Sequence, residues 1–320
     1  MAIEYLQQVT DMATPAQQLC DTPSNTGDTP AAGRARYHDP ENFFSFKWPA
    51  VPRRQFVAER DAAFDADVAT SEILLDSSEV LESAYPATTP LLLARYLCIR
   101  QGESLTVTRR ASAEIFYVLR GEGSSSGCGE SIEWSPGDTF CFPGGAAVTS
   151  TASSQAVLFS VCNEPLLRYE SLQPASNGQH ERVQPVHWPK GEMDERFKTI
   201  FARPDSEETA GRALQLSSAA MDPARYPTPT MNVAINTLQA GGDQRPHRHN
   251  GAAITLAVIG EGVHSMIEDE RVDWAEGAAQ VTPAAELHSH HNRGNKRMLS
   301  LVVQDEGLHF YARTPGFSWT

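Results

Sequence analysis

Long apolar runs are absent from this chain. A membrane-spanning helix needs about 18 or more consecutive apolar residues, and the richest stretches, 91–97 and 298–303, are strand-sized. The opening MAIEYLQQVTDM has neither a basic leader nor an apolar segment, so it is not read as a secretion signal. Positive charge is also scarce: 26 Lys and Arg stand against 40 Asp and Glu, a formal net charge of −14. Tracking phosphates or settling on an anionic membrane needs the opposite sign, so neither nucleic acid nor membrane is expected as a partner. Cysteine is sparse: Cys20, Cys98, Cys128, Cys141 and Cys162 are an odd number at irregular spacing, with no CxxC. That excludes a disulfide framework and a thiolate metal site, and points to small core residues in a reducing, cytoplasmic setting.

What is present is enough for about two domains at ~150 residues each: 320 residues, 40% hydrophobic. Residues 13–40 are rich in Pro, Thr, Ala and Gly without periodicity, and are expected to form an extended arm that settles on another subunit. Residues 42–55, NFFSFKWPAVPRRQ, are aromatic and basic, and are expected to cover a core. From about Leu91, short apolar or alternating runs are broken by Gly and Pro, the pattern of antiparallel strands in a barrel or jelly roll. The same pattern returns over 231–312. Between them, 164–229 reads as a long linker with one helix near 193–201. The expected organisation is an arm and cover (1–88), a first barrel (89–165), a linker (166–228) and a second barrel (229–320).

The two strand-rich blocks overlay. Gly121-Glu122-Gly123 matches Gly260-Glu261-Gly262 at an offset of 139, and Trp134, Gly137, Pro143 and Ser160 match Trp274, Gly277, Pro283 and Ser300 at 140. Spaced matches at a nearly constant offset indicate an internal duplication.

In the second block, Gly241 is followed by five residues and then His247-Arg248-His249. Gly277 is followed by five residues, Pro283, four more, His288, and Asn292 after another three. This spacing resembles the two motifs of the cupin family, which implies an all-β chain of two jelly-roll barrels with short helices, holding a metal inside one or both. Residues two apart on a strand share a face, so His247 and His249 point the same way, and His288 can complete a three-imidazole face. Seven of the ten histidines lie between His247 and His309. In the first block, counting from Gly102, the corresponding slots hold Thr108, Arg110, Glu114 and Val148. Such a set cannot hold a first-row metal, so that barrel is expected to be metal-free scaffold or oligomer interface.

The cupin family's fourth ligand slot holds Ala253. Three neutral ligands leave positions open for a chelating substrate and O2 together, which suits non-haem Fe(II). The run TPTMNVAINTLQAGGDQRPHRHNGAAITLAVIGEG from Thr228, with Leu287-His288-Ser289-His290 after it, resembles the iron-binding segment of gentisate 1,2-dioxygenases and their salicylate and hydroxynaphthoate relatives. The resemblance implies an Fe(II)-dependent ring-cleaving dioxygenase, with His247, His249 and His288 as metal ligands. His290 would serve as acid–base or hydrogen-bond donor, while His291 alternates outward as a structural residue. The substrates expected are a hydroxylated aromatic compound, amino- and nitro-substituted ones included, and O2.

The chain departs from that pattern where the substrate lies. Asn232 and Asn236 stand in place of Trp-x3-Gln, Thr255 in place of an arginine, and Val302 in place of an acidic residue. The metal set also falls in the second barrel, where the best-known members use the first. Asn232, Asn236, Thr255 and Gln280 are the candidate pocket residues, and Arg245, Arg248, Arg297 and Arg313 the candidates for a substrate carboxylate. Two other readings stand beside ring cleavage: a cupin metalloenzyme without O2 chemistry (isomerase, decarboxylase or hydrolase), and a non-catalytic small-molecule binder. Unpaired edge strands favour assembly, and a homodimer or homotetramer is expected.

Overall fold

The computed structural model describes residues 29–203 and 212–319. Contacts divide the chain into two compact units, Met1–Pro49 and Ala50–Thr320. In the first, Pro40 opens a short helix, Pro40–Ser45, and Asp39 caps it by accepting from the Asn42 N–H at 2.8 Å. Phe43, Phe44, Phe46 and Trp48 are exposed, and they pair edge-on as Phe43 with Phe44 and Phe46 with Trp48. Of the expected arm, residues 13–28 lie outside the described residues, as does Cys20. Covering a core falls to the second part of 42–55 and the residue after it: Phe56 is buried, its N–H donates to the Ala279 carbonyl, and Arg53 pairs with Glu286.

The second unit is built from antiparallel strands. The first ten are β1 (Ser71–Leu74), β2 (Leu93–Ile99), β3 (Ser104–Thr108), β4 (Ala113–Arg120), β5 (Gly123–Gly127), β6 (Glu130–Trp134), β7 (Thr139–Pro143), β8 (Ala147–Ala152), β9 (Ala156–Cys162) and β10 (Val186–Trp188). They form one sheet in the order β1-β2-β9-β4-β7-β10 and another in the order β3-β8-β5-β6. The next ten are β11 (Arg212–Leu216), β12 (Asn232–Leu238), β13 (His247–Arg248), β14 (Ala253–Ile259), β15 (Val263–Ile267), β16 (Glu270–Asp273), β17 (Ala279–Thr282), β18 (His288–Asn292), β19 (Met298–Gln304) and β20 (Ser318–Trp319). These repeat the arrangement as β11-β12-β19-β14-β17 and β16-β15-β18-β13-β20. Each pair of sheets is one jelly-roll barrel. The segment between the barrels gives each a strand, β10 to the first and β11 to the second. Its helix, Lys190–Phe201, starts directly after Pro189 and buries Met193 and Phe197.

Strand alternation sends one face of each broad sheet into a shared core and the other into its own barrel. Tyr96, Ile115, Phe159 and Val161 from the first broad sheet cluster with Val233, Ile254, Leu256 and Leu301 from the second. The opposite faces differ sharply. Phe116, Phe140, Phe142 and Trp134 fill the first barrel, with Phe116 and Phe140 stacked at 4.7 Å. In the ladders Phe116 lies across from Phe140, as Thr255 lies across from Gln280. The duplicate therefore carries hydroxyl and amide groups where the first barrel carries phenyl rings. A buried phenyl contributes about 1.5–3 kcal/mol, so the second barrel gives up stability to have a polar interior.

The ladders also correct two alignments read from the sequence. Val107 faces Val148 as His247 faces His288, and Val107 is buried whereas Thr108 is exposed. The slots matching His247 and His249 are thus Val107 and Arg109, not Thr108 and Arg110, because the turn after Gly241 is one residue longer than the turn after Gly102. Ser160 pairs with Phe116, but Ser300 pairs with Ala257, so these serines are not equivalent. The loop between β18 and β19 holds two more residues than the loop between β8 and β9.

Candidate metal centre

His247 on β13 and His288 on β18 are direct partners across one ladder, and His249 follows two residues after His247. One ligand nitrogen from each lies within 4.8 Å of the others, and all three residues are buried. The orientation of each ring is set by its own backbone. Nδ1 of His247 donates to the Arg245 carbonyl at 3.0 Å, that of His249 to Gly251 at 2.7 Å, and that of His288 to Glu286 at 3.0 Å. With Nδ1 protonated and occupied, each imidazole offers its Nε2 lone pair, the tautomer that a metal ligand requires. Burial lowers the proton affinity of all three, and with the neighbouring imidazoles it takes His288 down to about 2. The donor set is therefore neutral and fits a divalent first-row metal. Gly251 is required here: a Cβ would lie 2.3 Å from Cγ of Glu306.

On the metal-facing side of His249 sits an amide relay, at the nitrogen that a metal would take from it. Nε2 of Gln304 lies 3.0 Å from Nε2 of His249, and Oε1 of Gln304 accepts from Asn232 at 2.7 Å. Gln304 lies opposite Ala253 in the ladder, beside the slot where the smallest side chain leaves room. Glu306 accepts from the Gly251 N–H and Asp305 from the Ala252 N–H; burial raises both carboxyls, Asp305 to about 7.

His290 is buried on the same face as His288, its proton affinity pushed by burial down to about 3. Its Nδ1 is 2.9 Å from the Ser265 hydroxyl, which accepts from Trp274 Nε1 at 2.7 Å and from Gln280 Nε2 at 2.6 Å. Two donors occupy both lone pairs of that oxygen, so its own hydrogen goes to His290 Nδ1. His290 then carries its proton on Nε2. The first barrel holds the counterpart: Trp134 donates to Ser125, and Ser125 shares a hydrogen with Ser150. Ser150 lies across from Ser125 as His290 lies across from Ser265.

A cavity of about 210 Å³ opens beside these histidines. Roughly 150 Å³ accommodates a benzene ring. Of the four pocket candidates, Asn236 lines it; Asn232 and Gln280 stand one hydrogen bond behind Gln304 and Ser265, and Thr255 is buried in the barrel wall. Buried oxygens of Asn232, Gln280, Thr282 and Ser300 have no protein partner, which leaves acceptors for water or ligand. Gln304, Gln244, Arg212, Phe317 and Trp319 also line the cavity and were not singled out by sequence. Among the candidate arginines, Arg248 pairs with Glu268, Arg297 lies over Phe201 and Arg313 over Tyr311, while Arg245 lies over Trp319 beside the site. His291 faces outward to Asp243 at 2.5 Å.

In the first barrel the metal position is taken by charge. Arg95 and Arg109 both reach Glu114, at 3.1 and 2.8 Å, and Arg109 also binds Glu72. Burial alone would raise the Glu114 carboxyl, but the two guanidiniums hold it below the usual range.

The cupin domain model matches residues 234–304, the segment that carries all of these histidines. The salicylate 1,2-dioxygenase from Pseudaminobacter salicylatoxidans superposes over 86% of this chain and 89% of its own, with a TM-score of 0.68 at 12% identity. The chain has a cupin-like two-barrel fold, with a cupin domain in its second barrel. A crystal structure of the same dioxygenase as an adduct with gentisate superposes equally well, with a TM-score of 0.68 over 86% of this chain and 86% of that one, again at 12% identity. Two curated relatives are similar over shorter stretches. The 5-aminosalicylate 1,2-dioxygenase of a Comamonas species is 28% identical over 47% of this chain and 41% of its own. A gentisate 1,2-dioxygenase of a Streptomyces species is 33% identical over 25% of the chain and 23% of its own. The chain thus matches less than half the length of either curated relative, and what it is similar to over those stretches are 1,2-dioxygenases.

Proposed function

We propose that the protein is a non-haem Fe(II)-dependent dioxygenase that cleaves the ring of a hydroxylated aromatic compound, amino- and nitro-substituted rings included. One observation carries this reading: three buried imidazoles, each locked by a backbone carbonyl through Nδ1, meet beside a cavity the size of a substituted benzene. His247, His249 and His288 would hold the metal. When bound, Fe(II) would grip two adjacent oxygen substituents of the ring and bring O2 to the same face.

The protein's own groups do the rest. His290 directs an N–H into the site and donates a hydrogen bond or proton there. The amides of Asn236, Gln244 and Gln304 make a neutral, hydrogen-bonding rim, with Arg212 the charged residue of the lining. Such a rim favours phenols and amino- or nitro-substituted rings, whose substituents accept or donate without needing a fixed counter-ion. In this reading the protein acts in the cytoplasm as a homodimer or homotetramer.

The test is oxygen uptake by anaerobically Fe(II)-loaded protein across a panel of hydroxylated aromatic acids and phenols, with His247→Ala as control. Uptake that needs both iron and His247, with loss of the ring absorbance, is expected. Full iron occupancy with no uptake on any phenolic would overturn the reading in favour of a cupin without O2 chemistry.

A further inference from the structure

Strand β20 lies beside β13 with Trp319 opposite His247. Phe317, just before this strand, and Trp319 on it both turn their rings toward His247, while Ser318 between them is exposed. The Phe317 ring stacks on His247 with centroids 5.1 Å apart and planes 26° from parallel. Trp319 lies 5.7 Å from the same imidazole and meets Phe317 edge-on at 4.7 Å. The Arg245 guanidinium, 5.3 Å over the indole, helps to hold Trp319 in place. Both rings line the cavity, and Phe317 is 47% exposed despite standing against a buried histidine. The other lining residues are largely polar: Asn236 and Gln304 belong to the facing sheet.

We propose that Phe317 and Trp319 form the aromatic wall on which the substrate's ring lies. The assignment rests on the ring-cleavage reading and deepens it. Exposed aromatic surface in a chamber whose other lining is mainly polar is costly in water and becomes favourable once a flat ring covers it. The facing amides then hold the ring's substituents, so selectivity for a planar aromatic over a ring-free chelator comes from these two residues. Neither belongs to the duplicated motif: they follow β19, the last strand with a counterpart in the first barrel, and reach the site through the β13–β20 pairing.

The experiment is anaerobic calorimetry of Fe(II)-loaded protein with two probes, gentisate as an aromatic chelator and oxalate as a ring-free one. Iron retention is measured in parallel by competition with a chelator. In Phe317→Ala and in Trp319→Ala, the gentisate Kd should rise about five- to ten-fold, the scale of a lost aromatic contact. Oxalate affinity and iron retention should stay unchanged, and Trp319→Phe should restore most of the gentisate affinity. Unchanged gentisate affinity in both alanine variants overturns the assignment and leaves the ring-cleavage reading standing. Parallel loss of gentisate, oxalate and iron binding also overturns it, since the rings would then only support His247. If the unaltered protein keeps iron but binds neither gentisate nor any phenol of the uptake panel, the ring-cleavage reading fails and the aromatic wall with it; if it binds a phenol and not gentisate, that phenol replaces gentisate as the aromatic probe.

Discussion

Ser265 has one hydrogen to give, and its destination governs what His290 can do. Trp274 and Gln280 both donate to Ser265, so the hydroxyl donates onward and leaves His290 as an N–H donor toward the cavity. Ser265→Ala removes that junction and strands two or three buried polar groups. Each such orphan costs about 1–3 kcal/mol, so the variant should melt measurably lower in calorimetry. Its iron content should be unchanged, because none of the three metal-facing histidines bonds to Ser265, while turnover falls with the lost orientation of His290. Trp274 was visible in the sequence through its match to Trp134, but its purpose was not. A repeat shows that a position is kept, whereas the hydrogen bond to Ser265 is a contact between strands.

The two barrels share strand order but not interior chemistry, and that contrast can be tested on one pair of strands. Phe140 on β7 and Gln280 on β17 are equivalent positions facing Phe116 and Thr255. Phe140→Ala empties part of a packed aromatic cluster and should cost about 3–5 kcal/mol in chemical denaturation. Gln280→Ala removes a hydrogen bond to Ser265 and should cost about 1 kcal/mol. Near-equal losses would contradict the assignment of the first barrel as scaffold. The alternation that makes β12, β14, β18 and β19 strands was legible in the sequence. The one-residue slip at β3 was not, because turn length decides register, and a shift of one residue moves every side chain to the other face.

Acid sensitivity belongs to the whole molecule. Burial holds His247, His249, His288 and His290 neutral in the folded chain, whereas the unfolded chain protonates them below about pH 6.5. Lowered histidine pKa values contribute stability that is present above that pH and lost as pH falls. Asp305 and Glu306 act with the opposite sign: their raised values stabilise the fold at low pH, and that contribution fades as pH rises, for Asp305 toward about 7. His288 and His290 stay neutral far below pH 6.5, so stability should fall as the pH drops through that value, with the raised carboxyls offsetting part of the loss. The melting temperature of chelator-treated protein should therefore fall as the solution is acidified. Iron, if held by the three imidazoles as proposed, would bind the folded state alone and should raise the melting temperature at pH 7; a flat acid profile would mean that the imidazoles are not buried and neutral.

The histidine set was readable because it is local. His247 and His249, and His288 and His290, are spaced by two, and a strand's period of two puts each pair on one face whatever else the chain does. The placement of Asn236 on the same face as Asn232, four residues earlier, follows the same rule. Gln304 beside Ala253, Arg212 at the cavity rim, and Phe317 and Trp319 against His247 follow from no local rule. They meet the site through pairings between strands far apart in the chain, and those pairings depend on loop closure and on which sheet faces bury together.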